Sequence, residues 1–195
     1  MPIRHVLALC AVVSLAACAG KDLTQPPEDF GDFRLGYTIV SARQAQTAGP
    51  SRKASAEEWE QALKSAIEAQ LGRYDGDRFY HVGVGVDAYA LAVPGIPVLL
   101  SPKSVLRITV NVWDDAAQRK VNPEPKTFTV FEQISPETLI GSGLTQDKQQ
   151  QITNLSANAA REINEWLVQN REWFTPEAAE ERLRLGPQVS SAQAN

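Results

Sequence analysis

The 195-residue chain carries 19 Lys and Arg against 23 Asp and Glu, a formal net charge of −4. It has no basic cluster, so a phosphate backbone finds no electrostatic footing on it and nucleic acid is not an expected partner. Two cysteines and two histidines leave little material for a metal site or a Ser-His-Asp triad.

The chain opens with one firm positive charge, Arg4, followed by the apolar run Val6–Ser14 and the ending Leu15-Ala16-Ala17-Cys18. A charged start, an apolar stretch and small residues before a cleavage point read as a secretory signal peptide. The run is too short to span a bilayer, which needs about 20 apolar residues. Leu15-Ala16-Ala17-Cys18 resembles the lipobox of bacterial lipoproteins. The resemblance implies cleavage before Cys18 and a diacylglyceryl thioether on its sulfur, with acylation of the new amino terminus. Each buried CH₂ of an acyl chain contributes about 0.8 kcal/mol, and a single chain holds only marginally, so several chains make the anchor stable. Ala19 follows the cysteine where enteric lipoproteins carry an inner-membrane retention aspartate, which favours the outer membrane. Cys10 and His5 leave with the signal and Cys18 is consumed by lipid. The mature chain therefore has no thiol nucleophile or thiolate ligand, and His81 is its one histidine.

Residues 18–31 are polar and proline-bearing and read as the lipidated terminus with a flexible tether. Alternation of Phe33, Leu35, Tyr37 and Ile39 with polar residues predicts a half-buried strand over roughly 32–42. Ser55-Ala56-Glu57-Glu58 is a capping box. Trp59, Leu63, Ile67 and Leu71 follow at spacing four, one face of an amphipathic helix ended by Gly72. A strand then places Val82, Val84, Val86 and Ala88 on one face, with His81, Gly83, Gly85, Asp87 and Tyr89 on the other. The clearest strand sets Leu106, Ile108, Val110 and Val112 against Arg107, Thr109 and Asn111, and Asp114–Ala117 is turn-like. Phe128 and Val130 mark a further strand after two prolines. Thr145 is the expected cap of a long helix with Ile152, Leu155, Ala159, Ile163, Trp166 and Leu167 on one stripe. Thr175-Pro176-Glu177 starts a short helix, and Gln188 to Asn195 read as a disordered tail.

The expected fold is α+β, in the order β-α-β-β-β-α: a mixed sheet of about four strands with two helices on one face. The expected organisation is a signal peptide over 1–17, the tether over 18–31, one domain over 32–174, and a short C-terminal helix with tail over 175–195. This order behind a lipobox resembles the small α+β envelope lipoproteins, such as the lipopolysaccharide-assembly lipoprotein of the outer membrane and the auxiliary lipoproteins of ABC transporters. Arg107–Asp115, a strand entering an Asp-rich turn, is similar to theirs. The stretch from Val93-Pro94-Gly95-Ile96-Pro97-Val98 through Trp113-Asp114-Asp115 resembles uncharacterised lipoproteins of marine alphaproteobacteria. The resemblance covers the pattern of most of residues 32–170. It implies a non-catalytic, partner-holding role and transfers no functional residue.

Gly83-Val84-Gly85-Val86-Asp87-Ala88 matches the dinucleotide fingerprint, but that motif needs a strand-turn-helix setting and here lies inside an alternating strand. The glycines read better as space where a helix or a partner backbone approaches. His81 and Asp87 stand about 20 Å apart along an extended strand, too far to act as an acid–base pair. Asp114-Asp115 suits a hard cation, yet an ordinary polar turn explains it as well. No catalytic residue, cofactor or metal is expected.

The segment from Val93 to Leu100 has no charge and is unusually apolar. Ile96, Val98, Leu99 and Leu100 are the candidate partner-binding residues, because exposed apolar patches mark contact surfaces. Alternatively the segment folds over the end of the core, or Val98-Leu99-Leu100 begins the next strand; an apolar run alone does not separate these. The expected role is a lipid-anchored, periplasm-facing scaffold or auxiliary factor for another envelope protein. The alternative is a carrier holding a lipid or other apolar ligand between sheet and helices. Replacing Ile96, Val98 and Leu99 by Ser is expected to abolish capture of a crosslinked envelope partner and leave the melt unchanged; capture that survives removes the loop from the contact. The mass of the mature N-terminal peptide, read in the same run, checks Cys18.

Overall fold

The computed structural model describes residue 23 and residues 26–93, 104–132 and 147–188. Among these residues six strands and three α-helices form an α+β domain. The strands are β1 (Arg34–Ser41), β2 (Gln46–Thr47), β3 (Phe79–Ala90), β4 (Val105–Asp114), β5 (Arg119–Lys120) and β6 (Lys126–Phe131). The helices are α1 (Ala56–Leu71) between β2 and β3, α2 (Lys148–Gln169) and α3 (Pro176–Leu185), with a 3₁₀ turn over Arg171–Phe174. The sheet is mixed. β1 and β2 run parallel to β3 along one side of it, β4 is antiparallel on the other, and β5 and β6 both pair antiparallel with the far side of β4. The sheet is thus four positions wide, as expected. The additional strands are β2 and β5, two residues each, too short to carry any periodicity.

The helices form where local chemistry places them. At α1 the Glu58 amide donates to Ser55 Oγ at 3.2 Å and the Ser55 amide to Glu58 Oε2 at 2.8 Å, the reciprocal box that contributes about 1 kcal/mol. Gly72 ends the helix in a right-handed conformation, its N–H bonded to Glu68 O. No left-handed cap is needed, and a Cβ there would press on the Glu68 carbonyl. The cap of α2 is Asp147, whose Oδ1 accepts from the Gln150 amide at 2.7 Å, in place of the expected Thr145, which lies outside the described residues. Thr175 caps α3 as read, accepting from the Ala178 amide.

One face of the sheet meets the helices. Trp59, Leu63, Ile67 and Leu71 of α1 are fully buried, as are Leu106, Ile108, Val110 and Val112 of β4 and Ile152, Leu155, Ala159, Ile163 and Leu167 of α2. Each fully buried Leu or Ile contributes roughly 1.5–3 kcal/mol. An aromatic cluster closes one end: Phe33 stacks on Tyr80 with centroids 5.4 Å apart, and Phe174 packs edge-on against both. Phe30 joins this cluster at 1% exposure, so the tether read as 18–31 ends inside the core. No helix among the described residues is long and apolar enough to cross a membrane.

The C-terminal helix is fastened to this end by charge. Arg182 Nε donates to Asp114 Oδ2 at 2.8 Å, and its Nη2 donates to the Tyr80 hydroxyl at 3.1 Å. Asp114 is 2% exposed, and its other oxygen accepts from the Ala117 amide. Asp114 thus opens the turn as read, accepting from the Ala117 amide three residues on, and is also a buried anchor for α3, an ion pair that the turn reading did not include. Burial pushes the Tyr80 hydroxyl up, with Arg182 opposing, so the phenol stays protonated where it meets the guanidinium. Gln188, read as the start of the tail, bonds the turn before β5 through its amide and the β5 backbone through its side chain. Replacing Arg182 by Met strands a buried carboxylate and is expected to cost about 3–5 kcal/mol, read as a lowered urea midpoint. The double variant Asp114→Leu/Arg182→Met is expected to recover at least half of that loss; equal loss in both variants would show that the pair is not what holds α3.

Candidate functional site

The other face of the sheet carries no helix among the described residues. Its centre is built by register: Gly83 lies between Ile39 and Asn111, Gly85 between Ser41 and Thr109, and His81 pairs with Trp113. A Cβ at Gly83 would meet nothing nearer than 3.8 Å, and at Gly85 nothing nearer than 3.9 Å. The glycines therefore serve no close approach among the described residues. They leave a low strip flanked by Tyr37 and Ile39, which are 72% and 65% exposed. Strand geometry, not a turn into a helix, surrounds the Gly83–Ala88 motif, which removes the setting a phosphate needs.

His81 is held at the end of this strip. The Tyr37 amide donates to His81 Nδ1 at 3.0 Å, and His81 Nε2 lies 2.9 Å from Asp115 Oδ1. Since Nδ1 accepts, the proton sits on Nε2 and is donated to the carboxylate. Both ring nitrogens are occupied, so the imidazole works as a clasp between β1 and the turn after β4. The β1–β3 register shifts between Leu35 and Thr38, which frees the Tyr37 amide for this bond. Gly36 is required at the bulge, because a Cβ there would collide with the imidazole. His81 and Asp87 do not meet. Asp87 accepts from Thr109 Oγ1 at 2.8 Å, with Arg107 Nε 3.9 Å away.

Tyr89 departs from the sequence reading. The β3–β4 register shifts between Val86 and Ala88, and this turns Tyr89 to the core side, 5% exposed. Its hydroxyl donates to Ala54 O and accepts from the Ala54 amide. Cys18 and the loop residues Ile96, Val98, Leu99 and Leu100 lie outside the described residues. The loop's flanks are buried and tied together: Ala92 N–H donates to Ser104 Oγ, and Gln151 Nε2 donates to Ala92 O. Between sheet and helices, where a carried ligand would sit, the described side chains fill the space, with Trp59, Leu63, Ile67 and Ile108 at 0% exposure.

A second feature, absent from the sequence reading, is the groove between β6 and α2. It encloses about 500 Å³ and is lined by Thr127, Phe128 and Thr129 on one wall and Arg161, Glu162, Glu165 and Trp166 on the other. Arg161 Nη1 pairs with Glu165 Oε1 at 3.1 Å. Burial pushes the Glu162 carboxyl up, Arg161 pulls it down, and Glu165 adds a like charge that raises it.

No family model matches the chain, and no curated protein does. Solved structures show a loose likeness. A protein of Xanthomonas campestris under the family model DUF330 is 14% identical, covering 76% of this chain and 93% of that one, with a TM-score of 0.43. PelC of Paraburkholderia phytofirmans, a dodecamer, is 15% identical over 68% and 88%, with a TM-score of 0.36. A minor lipoprotein of Acinetobacter baumannii is 19% identical over 69% and 94%, with a TM-score of 0.31. At such scores no function passes from those proteins to this chain.

Glu162 generates a test. The folded protein holds its proton more tightly than the unfolded chain does. Stability is therefore fully present below the ordinary glutamate value and falls as pH rises through the raised one. Glu162→Gln is expected to be more stable than the parent at neutral pH, by less than about 1 kcal/mol because solvent screens a half-open carboxyl. Thermal melts should show the difference vanish below the usual carboxylate range.

Proposed function

We propose that this chain is a lipid-anchored, periplasm-facing lipoprotein, held in the outer membrane through Cys18, that acts as a non-catalytic scaffold or auxiliary factor for another envelope protein. The address rests on the signal-like start and the lipobox resemblance of Leu15-Ala16-Ala17-Cys18. One structural observation supports the role: a sheet face that carries no helix among the described residues, where Tyr37 and Ile39 stand exposed beside a strip cleared by Gly83 and Gly85. Surface apolar side chains collected around a flat, low strip fit a partner surface. Glycine inside a strand costs roughly 0.5–1 kcal/mol relative to alanine, and no contact among the described residues requires it at these two places. A partner backbone lying on the strip gives that cost a use.

The paired substitution Gly83→Thr/Gly85→Thr separates the two demands. The melt is expected to stay level or rise by up to about 1 kcal/mol for each position, since threonine suits a strand better than glycine. Capture of the crosslinked envelope partner should fall at least tenfold. Undiminished capture by a well-folded variant would remove this face from the contact.

A further inference from the structure

The free edge of β6 has a phase that the hydrogen bonds define. The Glu132 amide donates to Ser104 O, so the alternation of an antiparallel ladder turns the backbone of Val130, Phe128 and Lys126 toward β4. Thr127, Thr129 and Phe131 then present N–H and C=O outward. The Phe131 carbonyl is capped by Asn158 Nδ2 at 3.1 Å. Among the described residues Thr127 and Thr129 have no edge partner, and β6 pairs with β4 alone. An open edge of this kind is a template for an added strand. The groove beside it supplies a second recognition element. Phe128 and Trp166 meet edge-on at 5.8 Å on its floor. On the α2 wall Arg161 is engaged by Glu165, while Glu162 makes no ion pair or hydrogen bond among the described residues. A partly buried carboxylate whose neighbouring cation on this wall, Arg161, is bonded to a second carboxylate, next to backbone donors and acceptors unpaired among the described residues, is complementary to an extended chain that brings a further cation.

We propose that β6 receives an extended segment of a partner protein as an added strand at Thr127 and Thr129, with a Lys or Arg of that segment paired to Glu162 in the β6–α2 groove. The inference rests on the scaffold reading and names the chemistry of the segment held.

The test uses the mature chain and two blocked heptapeptides of alternating Val and Thr, one with a central Lys and one with a central Glu. The Lys peptide is expected to shift the Thr127 and Thr129 amide resonances and to bind at least tenfold more tightly than the Glu peptide. Glu162→Gln should lower its affinity five- to tenfold and erase the preference. Thr129→Pro removes an outward donor without breaking the ladder to β4 and should abolish the shift while the melt holds. Equal binding of the two peptides, shifts elsewhere than β6, or self-pairing of the mature chain through this edge would overturn the proposal. The two readings fail separately. If the Thr129→Pro variant still captures its partner in cells, the scaffold stands and the edge site falls. If the Lys peptide binds as stated and no partner is captured by the parent chain, the edge site stands and the scaffold falls.

Discussion

From Tyr80 to Ala90 β3 is paired with β4, and because successive side chains point to opposite faces, this one ladder decides what each face of the sheet can be. Val82, Val84 and Val86 meet Val112, Val110 and Ile108 on the core side, all nearly or fully buried. The same register obliges His81, Gly83 and Gly85 to lie outward with Trp113, Asn111 and Thr109. A slip of one residue would drive glycines and a histidine into the core, so the register has no competitor. The extra residue at Asp87 ends that strict alternation at one place. It places Tyr89 inward, where its hydroxyl is satisfied by both backbone groups of Ala54 and holds the approach to α1 against the sheet.

The closed end of the domain depends on a different balance. Phe30, Phe33, Tyr80 and Phe174 form an apolar enclosure, and Asp114 lies 2% exposed at its margin. A buried carboxylate alone would be costly, and a buried ion pair roughly breaks even with apolar residues of the same size. The pair adds direction: Arg182 reaches Asp114 and the Tyr80 hydroxyl at once, so α3 docks in one orientation. That accounts for a helix of ten residues, too short to persist alone in water, being an ordered part of the domain.

Local chemistry was legible and long-range chemistry was not. The Ser55–Glu58 box, the stripe from Trp59 to Leu71 and the β4 alternation are each written in a few neighbouring residues, and each stands where the pattern places it. The α+β class and the order of the longer elements followed from them, and the two-residue strands β2 and β5 did not. Asp114 looked like a turn residue because its partner is 68 residues further on, a separation no periodicity reports. Phe30 sat among prolines and acids that read as tether, and only the aromatic cluster explains its burial. Tyr89 was assigned the outer face because a bulge leaves no mark in a pattern of period two. At the candidate site, the glycine strip was visible as a motif, and its open surroundings emerged from the structure. Glu162 resembled any solvated helix charge. Its one sequence signal was the like charge of Glu165 three residues on, which needed the neighbouring strand to acquire meaning.

A sheet edge left unpaired among the described residues is a hazard for any protein, and the way β6 is bounded bears on how that edge is used. Lys126 stands at its start and Asn158 caps the Phe131 carbonyl at its end, two devices that discourage indiscriminate strand addition. Between them only Thr127 and Thr129 face outward, each with a small polar side chain and an exposed backbone. Two residues of ladder are too few to nucleate an aggregate and enough to align a short strand. Backbone pairing of that length carries little discrimination, because every extended chain offers the same groups. Discrimination has to come from the wall of the groove, where Glu162 has Arg161 as a neighbouring charge but makes no ion pair of its own among the described residues, Arg161 being bonded to Glu165. A domain optimised only for stability would place a neutral side chain there. On the proposed reading the carboxylate would make the short edge selective, and selectivity with a modest ladder is what a scaffold would need to hold one partner and release it.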